Sequence, residues 1–237
     1  DRVDYSGDGL MAHELAHQWF GDLVTCISFD HLWLNEGFAT YFTDIFFEHF
    51  EGRDRFLQAR TGQNRGYIGG WKNSNPNRFK YQHGQPQEIR GGNAYSGGAA
   101  RIHNLRSLLG DDKFQQAIRH WLKKQAYTVA TTEQFRAAIE ESSGVPLAAF
   151  FDQWFYRAGV PVITAAYSYD EALGVTAVTL SQRQEVTEMV PVFSFPMPFD
   201  LILADGTVIA ETREITQKDQ TFLFKTPSAP VQVGVNT

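Results

Sequence analysis

Two histidines four residues apart flank a glutamate in His13-Glu14-Leu15-Ala16-His17, and a second glutamate, Glu36, follows after eighteen intervening residues. On a helix, residues four apart share a face, one turn apart. Both imidazoles can then reach one ion, while the carboxylate between them projects beside it without binding it. A carboxylate from a second helix would complete a three-ligand set of His13, His17 and Glu36. The fourth position would stay open for water, which separates a catalytic zinc from a structural one. Mixed nitrogen and oxygen donors suit one Zn2+ per chain better than calcium or magnesium, which prefer oxygen alone. Such an ion brings its water to a pKa of about 7 and polarises a carbonyl. Glu14 is then the candidate catalytic base, taking the water's proton and returning it to a leaving amine.

Taken alone, the five-residue pattern also fits a surface helix with two unrelated histidines. The flanking runs weigh against that: Trp19-Phe20-Gly21-Asp22-Leu23-Val24-Thr25 continues the first segment, and Leu32-Trp33-Leu34-Asn35-Glu36-Gly37-Phe38-Ala39 surrounds the third ligand. With them, residues 11–41 resemble the aminopeptidase N family of zinc metallopeptidases, in the gluzincin clan. That family's signature is His-Glu-x-x-His, eighteen residues, then Glu within Trp-Leu-Asn-Glu-Gly-Phe-Ala. The likeness continues through Tyr95 and residues 99–109 to Phe151-x-x-Trp154 and Gly159-Val160-Pro161, and weakens after residue 160.

The resemblance implies hydrolysis of a peptide substrate, with release of N-terminal residues. It also implies a catalytic Tyr95, in Asn93-Ala94-Tyr95-Ser96-Gly97-Gly98-Ala99, as a second donor to the oxyanion; Gly97 stands where the family's Tyr-x-Lys-Gly-Ala pattern has Lys. Ser28 and Phe29 occupy positions where the family often has paired tryptophans. Family members carry a long N-terminal β domain and a Gly-Ala-Met-Glu-Asn-like segment, which binds the substrate's free amine, ahead of the zinc helix. This chain opens on Asp1-Arg2-Val3-Asp4 and reaches that helix within ten residues. It is therefore expected to be a piece of a longer polypeptide that lacks the N-terminal domain and has little aminopeptidase activity by itself. Other readings are a thermolysin-type endopeptidase, whose third ligand falls one residue later; an epoxide hydrolase like the leukotriene-processing relative; and a non-catalytic scaffold on the same fold.

Composition bounds the rest. The 237 residues, 43% apolar, suffice for one large or two modest domains. A net charge of −6 with no basic stripe argues against a nucleic-acid partner. No apolar run approaches the eighteen residues of a membrane segment. Cys26, the one cysteine, excludes an internal disulfide and reads as a small buried hydrophobe. Nothing in the sequence fixes a compartment. His31, His49, His83, His103 and His120 lack ligand spacing and read as structural or surface residues, while Asn35 and Asp22 are the nearest candidates for orienting the ligands.

The elements that must position these groups give an α+β fold: a mainly helical, thermolysin-like catalytic portion over residues 1–158, then a β-sandwich over 159–237. Residues 9–20 read as a helix capped by Asp8. Residues 25–30 read as a turn or short strand, and 32–50 as a long helix whose aromatics (Trp33, Phe38, Tyr41, Phe42, Phe46, Phe47) belong to the core. A helix over 54–65 precedes a glycine- and asparagine-rich loop over 66–94. Helices follow over 99–109, 112–124 and 133–142, the last with a Thr131-x-x-Gln134 capping box and a Gly144 stop. Pro146 opens one more. After Gly159, alternating patterns predict strands over 162–167, 175–180, 192–195, 199–204, 208–212, 221–224 and 231–235, with a hairpin turn at Asp205-Gly206.

Overall fold

The computed structural model describes residues 7–72 and 93–235. The chain divides into two compact units, Asp1–Ala158 and Gly159–Thr237. The first unit begins with α1 (Asp8–Ala16), strand β1 (Val24–Cys26) and a 3-10 turn (Phe29–His31). Then come α2 (Trp33–Glu51) and α3 (Arg53–Lys72). A π-helical turn (Asn93–Gly97) runs directly into α4 (Gly98–Leu109). The unit closes with α5 (Asp111–Lys124), β2 (Thr128–Ala130), α6 (Thr132–Ser143), the short α7 (Ala148–Phe151) and a second π turn (Asp152–Tyr156).

The central element is α2, which carries Glu36. It buries Trp33, Leu34, Phe38, Ala39 and Tyr41. Phe38 stacks on Phe20 at 4.5 Å between ring centroids and lies 5.4 Å from Trp121; Trp33 meets Phe155 at 4.5 Å. These aromatics hold the start of α2 against the segment that follows α1. Opposite them, α5 buries Phe114, Ala117, Ile118 and Trp121, an i, i+3, i+4, i+7 stripe, with Asp111 and Asp112 in its first turn and Lys123 and Lys124 in its last.

A parallel pairing of β1 with β2, Val24 opposite Thr128, ties the segment between the two site helices to the approach of α6. The capping box at Thr131 and Gln134 is present, with both reciprocal bonds. A second cap comes from a distance. His31 Nδ1 accepts from the Thr132 backbone N–H at 3.0 Å and lies 2.9 Å from the Thr132 hydroxyl, which accepts from Trp33 Nε1 at 3.0 Å. Burial lowers the His31 pKa and so favours the neutral ring that this acceptor role requires.

Several boundaries differ from the sequence expectation. Gly7, not Asp8, is the N-cap of α1, and the helix stops at Ala16 because the chain folds back beneath His17. Residues 66–72 extend α3, and 93–94 belong to the π turn; the rest of the expected loop, with His83, lies outside the described residues. Among the α2 aromatics, Phe46 and Phe47 are half-buried and stay outside the core.

The second unit packs two three-stranded sheets around one core. One sheet has the order β3 (Ile163–Asp170), β4 (Val175–Gln182), β7 (Asp219–Lys225); the other has β6 (Val208–Ile215), β5 (Phe195–Ile202), β8 (Gln232–Val235). Phe199 of β5 meets Phe222 and Phe224 of β7 at 5.2 and 5.1 Å. The strand expected over 192–195 does not form before Phe195. The buried Gln182 side chain instead accepts from the Phe193 N–H and donates to its carbonyl, taking the bonds a ladder would have used. Asp205 and Gly206 form the β5–β6 turn, with the Gly206 N–H donating to Leu203 O.

Sequence reading did not reveal a buried ion pair between α2 and α3. Asp44 and Arg60, 1% and 4% exposed, meet at 3.0 Å, and Gln63 also donates to Asp44 at 2.9 Å. Burial pushes the Asp44 carboxyl up to about 6 despite Arg60. The folded protein thus holds this proton more tightly than an unfolded chain with its ordinary pKa near 3.9, so this group's stability contribution falls as pH rises from about 4 through 6. Arg60→Leu strands the carboxylate. The expected cost is about 3–5 kcal/mol at pH 7.5, shrinking at pH 5, as read from urea unfolding midpoints at the two pH values.

Candidate active site

The residues around the His13–His17 pair explain how two helices present their donors to one point. His13 and His17 sit one turn apart at the end of α1, and Glu36 sits in the first turn of α2. His13 Nε2 lies 3.3 Å from Glu36 Oε2, His17 Nε2 lies 3.3 Å from the same oxygen, and the two Nε2 atoms are 3.2 Å apart. Donors bound at 2.0–2.1 Å in a tetrahedron lie about 3.3 Å from one another. The triangle therefore has the dimensions of three corners of a zinc tetrahedron. All three side chains are about four-fifths buried. Among the described residues this is the one cluster of histidine, cysteine and acidic side chains that could hold a metal.

The tautomer of His17 follows from its other nitrogen. Nδ1 is 3.0 Å from the Phe20 carbonyl, which can only accept, so Nδ1 carries the proton and Nε2 presents a lone pair. The carbonyl is in place because residues 17–21 reverse direction. Gln18, Trp19 and Phe20 make turn bonds back to 15–16, and the Asp22 N–H donates to His17 O at 2.9 Å. Gly21 makes this possible at φ +158°: a Cβ there would lie 2.9 Å from His17 O and 3.3 Å from Asn35 Nδ2.

Asn35 is buried, and its Oδ1 accepts from the Cys26 N–H at 3.0 Å, fastening β1 to the turn of α2 that holds Glu36. Asp22 is exposed. Burial, with the Glu36 charge adding, pushes the Cys26 thiol up, so it stays protonated at neutral pH. Glu36 has opposing influences. Burial alone would raise its pKa, but hydrogen bonds from His13 and Tyr95 and the charges of His17 and His13 outweigh burial and hold it below the usual carboxylate range.

Tyr95 comes to the cluster from a third direction. It lies in the π turn ahead of α4, half-buried; its ring stacks parallel to that of His13 at 6.1 Å, and its hydroxyl donates to Glu36. Glu14 is exposed on α1 beside His13. His31 and His103 bond to Thr132 and Tyr41, away from the triangle. The partners that sequence reading did not supply are a backbone carbonyl, Phe20 O, and the glycines that let backbones approach. Gly21, just after the histidine segment, was a visible signal for the tight turn; the carbonyl carried none.

Comparison with known proteins gives the family. Residues 5–154 match the Peptidase family M1 domain. The chain belongs to peptidase family M1. Aminopeptidase M1-C of Oryza sativa subsp. japonica is 40% identical over 159 residues, covering 65% of this chain and 18% of the relative. Glutamyl aminopeptidase of Sus scrofa is 34% identical over 164 residues, 65% of this chain and 17% of the relative. The Tricorn protease-interacting factor F2 of Thermoplasma volcanium is 33% identical over 160 residues, again 65% of this chain, and 20% of the relative. The M1 chain thus spans about a fifth of the length of these relatives. In fold, it superposes on Legionella pneumophila aminopeptidase A, solved with aspartic acid, with a TM-score of 0.75 over 96% of this chain and 25% of that one, at 21% identity.

Gly21→Ala tests the turn beneath His17. The new methyl group strains the backbone and meets the His17 carbonyl, so a loss of about 1–3 kcal/mol is expected in urea unfolding. Zinc affinity, read by competition with a chromophoric chelator, should weaken in parallel because His17 loses its carbonyl partner.

Proposed function

We propose that this chain carries the metal-binding and catalytic centre of a zinc-dependent aminopeptidase, which hydrolyses peptide bonds to release N-terminal residues. The observation that carries the reading is the 3.2–3.3 Å triangle of two imidazole nitrogens and a carboxylate oxygen, made by the residues in the His-Glu-x-x-His…Glu pattern. The aminopeptidase names of relatives support the exopeptidase part.

In this reading His13, His17 and Glu36 hold the ion, and the Phe20 carbonyl keeps the His17 lone pair directed at it. The ion supplies a Lewis acid for the scissile carbonyl and a water acidified to a pKa of about 7. Glu14 takes the proton of the attacking water and passes it to the departing amine. The Tyr95 hydroxyl, which donates to Glu36, is close enough to the triangle to turn toward the negative oxygen that develops as the carbonyl is attacked. Neutral His31 and protonated Cys26 stay outside the chemistry.

Two measurements on the complete polypeptide test this. Zinc content should be one ion per chain, and Glu14→Gln should retain it while losing at least about a thousandfold in kcat. Zinc retained with turnover intact removes Glu14 from its role; an absence of zinc removes the metal reading. Cleavage of N-terminally blocked peptides as fast as free ones would replace the exopeptidase with an endopeptidase.

A further inference from the structure

The helix that carries Glu36 and the turn that carries Tyr95 meet through two glycines. Gly37 follows Glu36 directly in α2, and Gly98 opens α4 three residues after Tyr95. Their backbones are in contact. A Cβ on Gly37 would sit 2.9 Å from Gly98 Cα and 3.1 Å from the Ala94 carbonyl oxygen, and a Cβ on Gly98 would sit 2.8 Å from Gly37 Cα and 3.3 Å from Trp33 Cβ. Both glycines have no other freedom to exploit: each is helical, so flexibility does not explain the choice. Only the missing side chain does.

Two features make the contact local to the site. Ala94, whose carbonyl abuts Gly37, is the residue before Tyr95, and both belong to the π turn. Such turns widen the helix by one residue and recur at functional sites. Here the widened turn lies flat on α2 at Gly37, and its next side chain, Tyr95, reaches the Glu36 carboxylate and the His13 ring. Further along the same pair of helices, Tyr41 of α2 and His103 of α4 hydrogen-bond through their side chains at 2.9 Å. The backbone-to-backbone contact at the two glycines thus lies beside Tyr95 and Glu36.

We infer that the Gly37–Gly98 backbone contact is a positioning device that sets Tyr95 against Glu36, and through it against the metal ligands. This rests on the metal-centre reading above for its purpose, but the device itself concerns only the distance between Tyr95 and Glu36. A methyl group at either glycine must push the π turn off α2, because the nearest atom it meets is backbone and cannot rotate aside. The displacement moves Tyr95 and leaves His13, on α1, and His17, which caps it, where they are.

The test places 3-fluorotyrosine at position 95 of the 237-residue chain and follows its fluorine resonance. Without metal, Glu36→Gln should shift that resonance in the parent protein, and the shift should vanish in a Gly98→Ala background. With Co2+ bound, paramagnetic broadening, which falls with the sixth power of distance, should drop by about twofold or more in Gly98→Ala for a displacement of about 1 Å. Cobalt affinity should be nearly unchanged. An unaltered response to Glu36→Gln, in a Gly98→Ala protein that unfolds cooperatively, overturns the inference. Gly37→Ala is the second variant, with the same expectation; if neither variant folds even with saturating metal, the contact serves the whole fold and the local assignment falls. Failure of the metal reading is a separate outcome: no cobalt broadening in the parent, with the Glu36→Gln response intact.

Discussion

Three electron-rich atoms held within 3.3 Å of one another constrain everything around them. His13 hydrogen-bonds Glu36 and the histidine charges add to that attraction, but all three side chains are mostly withdrawn from water, so these few bonds have to be supported from outside the cluster. The convergence has to be imposed by packing. That packing is the aromatic stack in which Phe20, just after α1, lies on Phe38 of α2, with Trp33, Trp121 and Phe135 behind it. A dense core resists small displacements of the two helices, and so the energy gained by burying rings elsewhere helps hold the donors in place.

Secondary contacts then remove the remaining freedom. The reversal at Gly21 brings the Phe20 carbonyl under His17 and fixes its tautomer. Asn35 ties β1 to the beginning of α2, and β1 in turn pairs with β2. His31 and Trp33, on either side of that beginning, both bond to Thr132 at the head of α6. The first turn of α2 is therefore anchored on three sides within a few residues of Glu36. The second turn is held by the glycine contact with α4. Loss of any one anchor leaves the others to hold the three donor atoms near their 3.2–3.3 Å separations.

How much of this could be read in the sequence depends on the range of the interaction. Glu36, on a separate helix, was reached only through the longer His-Glu-x-x-His…Glu pattern, whereas the His13–His17 pair was legible because helix periodicity converts spacing directly into direction. The capping box at Thr131 and the α5 stripe were legible for the same reason: each is a contact within four residues. The end of α1 at Ala16 was not, because it is set by a carbonyl three residues beyond His17. The absent strand at 192–194 was not, because a single buried glutamine eleven residues away takes its backbone bonds. The Asp44–Arg60 pair looks like two ordinary surface charges until α3 folds back on α2. Local rules saw local bonds, and tertiary contacts overruled them where a polar side chain had a better partner far along the chain.

Helix arithmetic also accounts for why Glu14 can differ in role from its neighbours. Successive residues turn about 100°, so His17 lies about 40° around from His13, and Glu14 lies about 60° beyond His17. The two histidines form a narrow stripe, and Glu14 flanks it. Glu14 is accordingly not among the three clustered side chains. Its exposure fits the same division: the three clustered side chains are mostly withdrawn from water, while the flanking Glu14 carboxylate is exposed. A shift of one residue in either direction would place it on the stripe's axis or turn it away from the site.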